Sequence, residues 1–275
     1  MASATVLELR MEKETYLKNV PEVLSDLFSR AYFDSSSTGL ELTSGGAYVV
    51  LQLRSEAFDH YICNDDDFSV RLNLDAMAKA LSFANNDDIV TIKYKSDDPL
   101  VFSISLGSPD SCVIRCFDLD LVEYNRKPVN ISEYPESMYQ AIVRMPSAKF
   151  MHLCNKLSSF RDTGDRKTVD KDNVRFFTDK SSTIFRQQTQ NDNKPNEATR
   201  IEMKENISLT FGLRYLNSFS KASILSDQVT IKLSSNVRAV FEYKIAEMGY
   251  IRYYMMPADK EVEMLGIAEE DEMQN

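Results

Sequence analysis

Residues 72–102 read LNLDAMAKALSFANNDDIVTIKYKSDDPLVF, and residues 211–241 read FGLRYLNSFSKASILSDQVTIKLSSNVRAVF. The second stretch follows the first at a constant offset of 139 residues, without a gap. Leu72, Leu74 and Met77 answer Phe211, Leu213 and Leu216. Val90, Thr91, Ile92 and Lys93 answer Val229, Thr230, Ile231 and Lys232, and Val101 and Phe102 answer Val240 and Phe241. Most matching positions are apolar and keep the phase of their elements, so the chain reads as one fold written twice.

Outward from the repeat, Leu17, Val20 and Leu24 match Phe150, Leu153 and Leu157 at an offset of 133. Amphipathic helices in general match about this well, so the longer repeat carries the argument. Residues 121–138 hold Pro128 and Pro135 and keep no steady period, which marks a connector. The expected organisation is a domain at 1–120, the connector at 121–138, a second domain at 139–257 and an acidic flexible tail at 258–275.

With 275 residues, 43% of them hydrophobic, two cores or one long core can be buried. Four cysteines without metal-ligand spacing suggest free thiols in a reducing compartment. No apolar run reaches the roughly 18 residues of a membrane span, and no signal-peptide core is visible. The expectation is a soluble intracellular chain with no membrane partner. A net charge of −10 taken alone argues against a phosphate backbone as ligand. The acids gather, however, at 65–67, 85–88 and 269–272, so the placement of cations must decide the partner.

Strand signals lie at 48–54, 68–74, 89–95, 100–106, 111–117, 139–145, 207–213, 228–233, 238–245 and 250–255. Helical periodicity lies at 15–29, 74–83, 147–157 and 213–220. Helix then strands, repeated, predicts an α+β fold with antiparallel sheets and helices confined to one face. Each helix carries cations. Lys18 lies on the first, with Arg30 at its end, and Lys79 on the second. Lys149, His152 and Lys156 lie on the third, opposite the stripe of Phe150, Leu153 and Leu157, and Arg214 lies on the fourth with Lys221 just beyond. Surface helices commonly carry lysine, so this pattern alone names no ligand. Pro21 falls inside the first helical pattern, where a lost donor and a clash one turn back cost about 3 kcal/mol. A late start or a kink is expected there.

The chain offers little to catalysis. Its eight glycines form neither GxGxxG nor GxxxxGK[ST], and its two histidines make a histidine-rich zinc site improbable. Glu56, Asp59 and His60 read as a strand leading into a turn. Asp118 and Asp120, at DxD spacing, and the acids at 65–67 could take Mg²⁺ but read better as solvated acids. No cofactor, metal or catalytic group is expected.

Six stretches then stand out in order: LRSEAFDHY (53–61), FDLDL (117–121), VRMPS (143–147), LTFGLRYLN (209–217), EYKIAEMG (242–249) and YYMMP (253–257). Together they closely resemble the eukaryotic sliding clamps of the proliferating cell nuclear antigen family, over nearly the whole chain. The resemblance implies a two-domain DNA-clamp fold, assembled as a homotrimeric ring with sheets outside and helices lining a hole around double-stranded DNA. It implies a nuclear processivity factor, not an enzyme and without a cofactor. Such a ring is placed by a clamp loader and tethers DNA polymerase and other replication and repair proteins.

By residue, the family's DNA-facing positions match Lys18, Lys79, Arg214 and Lys221. His152 stands where a cation is common, with Lys149 and Lys156 beside it. Asn19, Ser25, Ser82 and Asn155 stand where the family is usually basic. The implied partner pocket comprises Tyr48, the connector residues Val129 and Ile131, and Tyr254, Met255, Met256 and Pro257. It takes a PIP-box-type peptide, Q-x-x-[ILM]-x-x-aromatic-aromatic. Here the turn at Ser44, Gly45 and Gly46 is shorter than the family's and the connector longer, Arg238 replaces a usual proline, and Met256 replaces a usual small residue. The implied joint between copies sets Cys112, Val113 and Ile114 against Ile184, Phe185 and Arg186. Lys171 aligns with the family's ubiquitin or SUMO acceptor. Rival readings are a subunit of a heterotrimeric checkpoint-type clamp, a scaffold without DNA and, most remotely, a Mg-dependent hydrolase.

Overall fold

The computed structural model describes residues 5–12, 15–44, 49–65, 68–85, 87–108, 113–121, 123–124, 134–159, 165–169, 173–177, 182–186 and 198–257. The chain divides into two compact units: Met1–Ile131 with Lys244–Ile251, and Ser132–Tyr243 with Arg252–Asn275.

The first unit contains β1 (Thr5–Met11), α1 (Thr15–Ser25), β2 (Arg30–Ser36), β3 (Gly39–Ser44), β4 (Val49–Arg54), β5 (His60–Cys63), β6 (Phe68–Asn73), α2 (Leu74–Ser82), β7 (Ile89–Lys95), β8 (Val101–Gly107), β9 (Ile114–Asp120) and β10 (Glu123–Tyr124). One set of strands is ordered β5-β1-β7-β8-β9 and another β10-β6-β2-β3-β4, with antiparallel neighbours. Alternation sets the faces. Val90, Ile92, Tyr94, Phe102, Ile104 and Leu106 are buried while the residues between them are not. Ring pairs fill the space between the strands, Phe33 on Phe102 at 4.9 Å and Phe68 on Tyr94 at 4.8 Å. The Asn73 side chain caps α2 by accepting from the Asp75 and Ala76 amides. The α1 helix packs against it.

The β2–β3 turn depends on one glycine. Gly39 has φ +149°, and a Cβ there would lie 2.2 Å from the Leu53 carbonyl oxygen on β4. We expect Gly39→Ala to destabilise the first unit by more than about 1 kcal/mol. A urea midpoint equal to that of the parent would contradict this.

The second unit contains β11 (Ala141–Pro146), α3 (Ser147–Ser158), β12 (Asp165–Val169), β13 (Asn173–Phe177), β14 (Ser182–Arg186), β15 (Arg200–Met203), β16 (Ile207–Phe211), α4 (Leu213–Ser220), β17 (Gln228–Leu233), β18 (Ala239–Ile245) and β19 (Gly249–Met255). Its strands run β14-β13-β12-β16 and β15-β11-β17-β18-β19. The core is aromatic. Phe241 touches Phe150, Phe211 and Phe219 at 6.0, 6.0 and 5.3 Å, and Phe219 stacks on Tyr253 at 4.4 Å.

The repeat is visible as structure. Helices α2 and α4 begin at Leu74 and Leu213, and β7 and β17 at Ile89 and Gln228, which keeps the sequence offset. Phe102 and Phe241, matched by the repeat, are both fully buried. In the looser match, Val20, Leu24, Phe150, Leu153 and Leu157 are all buried.

Several boundaries differ from expectation. The strand expected at 111–117 is Ile114–Asp120, because Asp118 and Asp120 continue an alternation in which Leu119 is buried. Asp118 is thus a strand residue that accepts from the Ser103 hydroxyl at 2.7 Å. The helix expected at 15–29 ends at Ser25, where the Leu27 and Phe28 amides turn back to the Leu24 carbonyl. It does not start late. It begins at Thr15 and runs through Pro21. Strands β1, β2, β3, β5, β10, β12, β13 and β15 lie outside the expected set. In β2, Asp34 and Ser35 are buried polar residues; Asp34 Oδ1 accepts from the Ser69 hydroxyl at 2.5 Å, and the Ser35 and Tyr61 hydroxyls bond at 3.0 Å. His60 begins β5 and pairs with Arg10, so the turn after Arg54 is shorter than expected.

Among the polar groups inside the second core is the Tyr243 hydroxyl. Tyr243 is fully buried, and its hydroxyl meets no hydrogen-bond partner among the described residues. Burial first, then the nearby Tyr253 and Cys154, push its ionisation well above the ordinary value of 10.0. The unfolded chain therefore gives up this proton first. Stability is insensitive to the group below about pH 10 and falls as pH rises past it toward the folded value. Tyr243→Phe should raise stability by about 1 kcal/mol at neutral pH and remove that alkaline loss. Urea titrations of both proteins at neutral and alkaline pH check this, and a less stable Phe variant would contradict it.

Candidate nucleic-acid interface and partner segment

The expected cations stand on four helices, two in each unit. In the first unit, Lys79 is exposed on the last turn of α2. Lys18 on α1 is half-buried and donates to the Ala84 carbonyl at 2.9 Å, just past the end of α2. Its charge thus sits among the carbonyls that end that helix, where a cation is favoured. In the second unit, His152 and Lys156 are exposed on α3 and Arg214 is exposed on α4, while Lys149 is half-buried. Lys221 is exposed just past α4, with its amide bonded to the Phe219 and Ser218 carbonyls. The apolar residues between these positions fix which faces are turned outward. Phe150, Leu153 and Leu157 on α3 and Leu213, Leu216 and Phe219 on α4 are buried.

Two positions without the family's usual charge, Ser25 and Ser82, are used locally. Ser25 donates to the Glu22 carbonyl at 3.2 Å and Ser82 to the Lys79 carbonyl at 2.7 Å. Ser158 donates to the Cys154 carbonyl at 2.7 Å and accepts from Asn217, which ties the end of α3 to α4. Sequence reading missed this last pair. Nothing in the spacing of Ser158 and Asn217 shows that they meet. The exposed cations of α3 and α4 thus stand apart on the outward sides of two helices that pack together.

The segment expected to take part in partner binding lies at the end of β19. Along this strand Ile251, Tyr253 and Met255 are on the core side, with Tyr253 stacked on Phe219, whereas Arg252 and Tyr254 take the other face. There Arg252 binds the buried Glu242 carboxylate at 2.6 Å, and Lys232 lies 3.8 Å from it. Tyr254 and Pro257 are buried and Met256 is half-buried. Met255 belongs to the core side. It approaches Gly212, where an added Cβ would lie 3.8 Å from its terminal carbon. Arg238 is half-buried in the same unit. Tyr48, Val129, Ile131, Cys112 and Lys171 lie outside the described residues, as does the expected tail at 258–275.

The residues expected at a joint sit on terminal strands. Val113 and Ile114, at the start of β9, are 59% and 70% exposed, and Ile184 on β14 is 53% exposed. Phe185 is half-buried and Arg186 exposed.

Comparison with known families finds two matches, in order along the chain. Residues 6–127 match the family model for the proliferating cell nuclear antigen N-terminal domain, and residues 133–258 match that for its C-terminal domain.

The chain belongs to the proliferating cell nuclear antigen family.

The two-domain α+β clamp fold implied by the resemblance is therefore the fold of this family member, with antiparallel sheets and four α-helices among the described residues. As a member of the proliferating cell nuclear antigen family it is a DNA sliding clamp, acting on DNA in replication and repair.

Proposed function

We propose that this chain forms a homotrimeric ring around duplex DNA and serves as a nuclear processivity factor. Partners dock through PIP-box-type peptides on Tyr254, Met256 and Pro257, with Tyr48, Val129 and Ile131 completing the pocket. A clamp loader places the ring and a DNA polymerase is its principal client. Lys79, Lys156, Arg214 and Lys221 meet phosphates, aided by Lys149 and His152, while Lys18 also serves to hold the end of α2. Lys171 is the candidate acceptor for a modifying protein.

The observation that carries the reading is the pair of family matches, in order, on a chain whose helices in both units expose cations despite a net charge of −10. An acidic protein with weak, separated phosphate contacts cannot hold DNA by affinity. Topological linkage supplies the residence time, and weak contacts leave the ring free to move. Light scattering on the chain alone tests the assembly. Three copies of the 31.4 kDa chain per particle are expected. A monomer at every concentration would turn the reading toward a heterotrimeric checkpoint-type clamp.

A further inference from the structure

Alternation fixes what the larger sheet of the second unit turns outward. Val143, Ile231, Phe241 and Tyr253 are on the core side, so the residues between them make the opposite face. Across β15, β11, β17 and β18, pairing sets Glu202, Ile142, Lys232 and Val240 in one row of that face, and Arg200, Arg144, Thr230 and Glu242 in the next. Glu242 meets Arg252 of β19 at 2.6 Å, which brings Tyr254 beside Val240 and, one step further, Met256 beside Arg238. Lys204 follows β15, and its amide bonds the Gln140 carbonyl. The face thus has an apolar centre of Ile142, Val240 and Tyr254, all buried, with cations on both sides. Those cations are Arg144, Arg200, Lys204, Lys232, Arg238 and Arg252. The carboxylates among the described residues there are fewer, and they are engaged. Glu202 binds Arg144, Glu242 is shared by Arg252 and Lys232, Glu136 lies 3.5 Å from Lys232, and Glu205 accepts from Gln140 at 2.9 Å. Among the described residues Arg200 meets no carboxylate, and Lys204 reaches only the Glu136 and Ser137 carbonyls, at 3.0 and 3.3 Å. Arg200 and Arg144 stand directly opposite each other, which by itself costs stability. On a chain with a net charge of −10, this face is an exception.

We propose that this face takes an acidic segment of a partner protein, one that flanks the peptide docked at Tyr254 and Met256, with Arg238 and Lys204 as its main contacts. The inference rests on the partner reading above and adds the charge that a partner must bring. Arg238, beside Met256, is where such a segment enters the face, and Lys204 is where it leaves. Three strand-to-strand steps of about 4.8 Å separate them, about 14 Å in all, a distance that about five extended residues cover. Negative charge laid along that path offsets the repulsion among the cations. A polypeptide fits better than a nucleic acid. Glu136, Glu202 and Glu205 are exposed among the cations and repel a phosphate chain, which is charged at every step. A polypeptide sets its acids at the cations and its neutral donors at the glutamates.

Fluorescence anisotropy with labelled PIP-box-type peptides tests this, each peptide carrying a run of Glu on its N-terminal or its C-terminal side, with Gln in the matching controls. The parent should bind one of the acidic peptides about tenfold more tightly than its Gln control at low salt, and the gain should fade as salt rises. Lys204→Glu and Arg238→Gln should each lower that ratio by about two- to fivefold. Lys204 is exposed, so its substitution leaves the core intact, and thermal unfolding checks both variants. Equal binding of acidic and neutral peptides, or a ratio that both variants leave intact, would overturn the acidic segment while the partner reading stands. If no peptide bound at all, both would fall. A gain that arises only after the acid-rich residues 258–275 are removed would give the face to that segment of the chain itself. Displacement of the acidic peptide by an equal concentration of single-stranded oligonucleotide would give it to nucleic acid. Either result would overturn a partner's acidic segment as the occupant.

Discussion

Phe241→Ala should cost the second unit about 3–5 kcal/mol, enough to bring a domain of ordinary stability close to unfolding. Phe241 is fully buried and touches three other rings, so truncation leaves a cavity whose walls are held by α3, α4 and β16 and cannot collapse. The repeat extends the expectation. Phe102 occupies the matching position in the first unit, fully buried against Phe33 at 4.9 Å, and Phe102→Ala should destabilise that unit through the same mechanism. Urea titration followed by near- and far-ultraviolet dichroism reads both. A loss below about 1 kcal/mol at Phe241 would mean that the ring cluster is not the centre of the core.

The second large effect is on DNA. Reversing Lys79, Lys156 and Arg214 together to Glu should abolish measurable contact of the assembled protein with duplex at low salt, and should flatten its salt dependence. These three side chains are exposed on three different helices, so the substitutions leave the buried faces untouched. Each phosphate neutralised contributes about 0.9 to the slope of log affinity against log salt. Copies related by symmetry multiply that loss. Fluorescence anisotropy with a labelled duplex across a salt series reads both affinity and slope, and sedimentation checks that assembly survives. Superimposable curves for parent and variant would remove these residues from the interface.

The repeat was legible because apolar side chains keep their phase wherever a buried face recurs, and Leu74, Met77, Val90 and Phe102 keep it with Leu213, Leu216, Val229 and Phe241. Strand β2 was not, because Asp34 and Ser35 read as loop residues until Ser69 and Tyr61, distant in sequence, are seen to bond them. The end of β9 was misplaced for a related reason. Asp118 and Asp120 look like a solvated acidic loop, yet a strand with one open face carries acids there at no cost. The helix cations were readable from spacing alone. That Lys18 is engaged with Ala84, that Met255 is on the core side, and that Phe83 stays exposed beside Phe117 are consequences of packing, which no spacing reveals.

A chain that holds DNA by encircling it is retained on a closed path and lost from an open one. The decisive measurement is retention on a nicked plasmid circle after treatment with a clamp loader and ATP, with this chain as the sole clamp subunit. The protein should co-elute with the circle through a high-salt gel-filtration column and be released when a restriction enzyme linearises the DNA. Equal retention on circular and linear DNA, or loss from both at the same salt concentration, would contradict it.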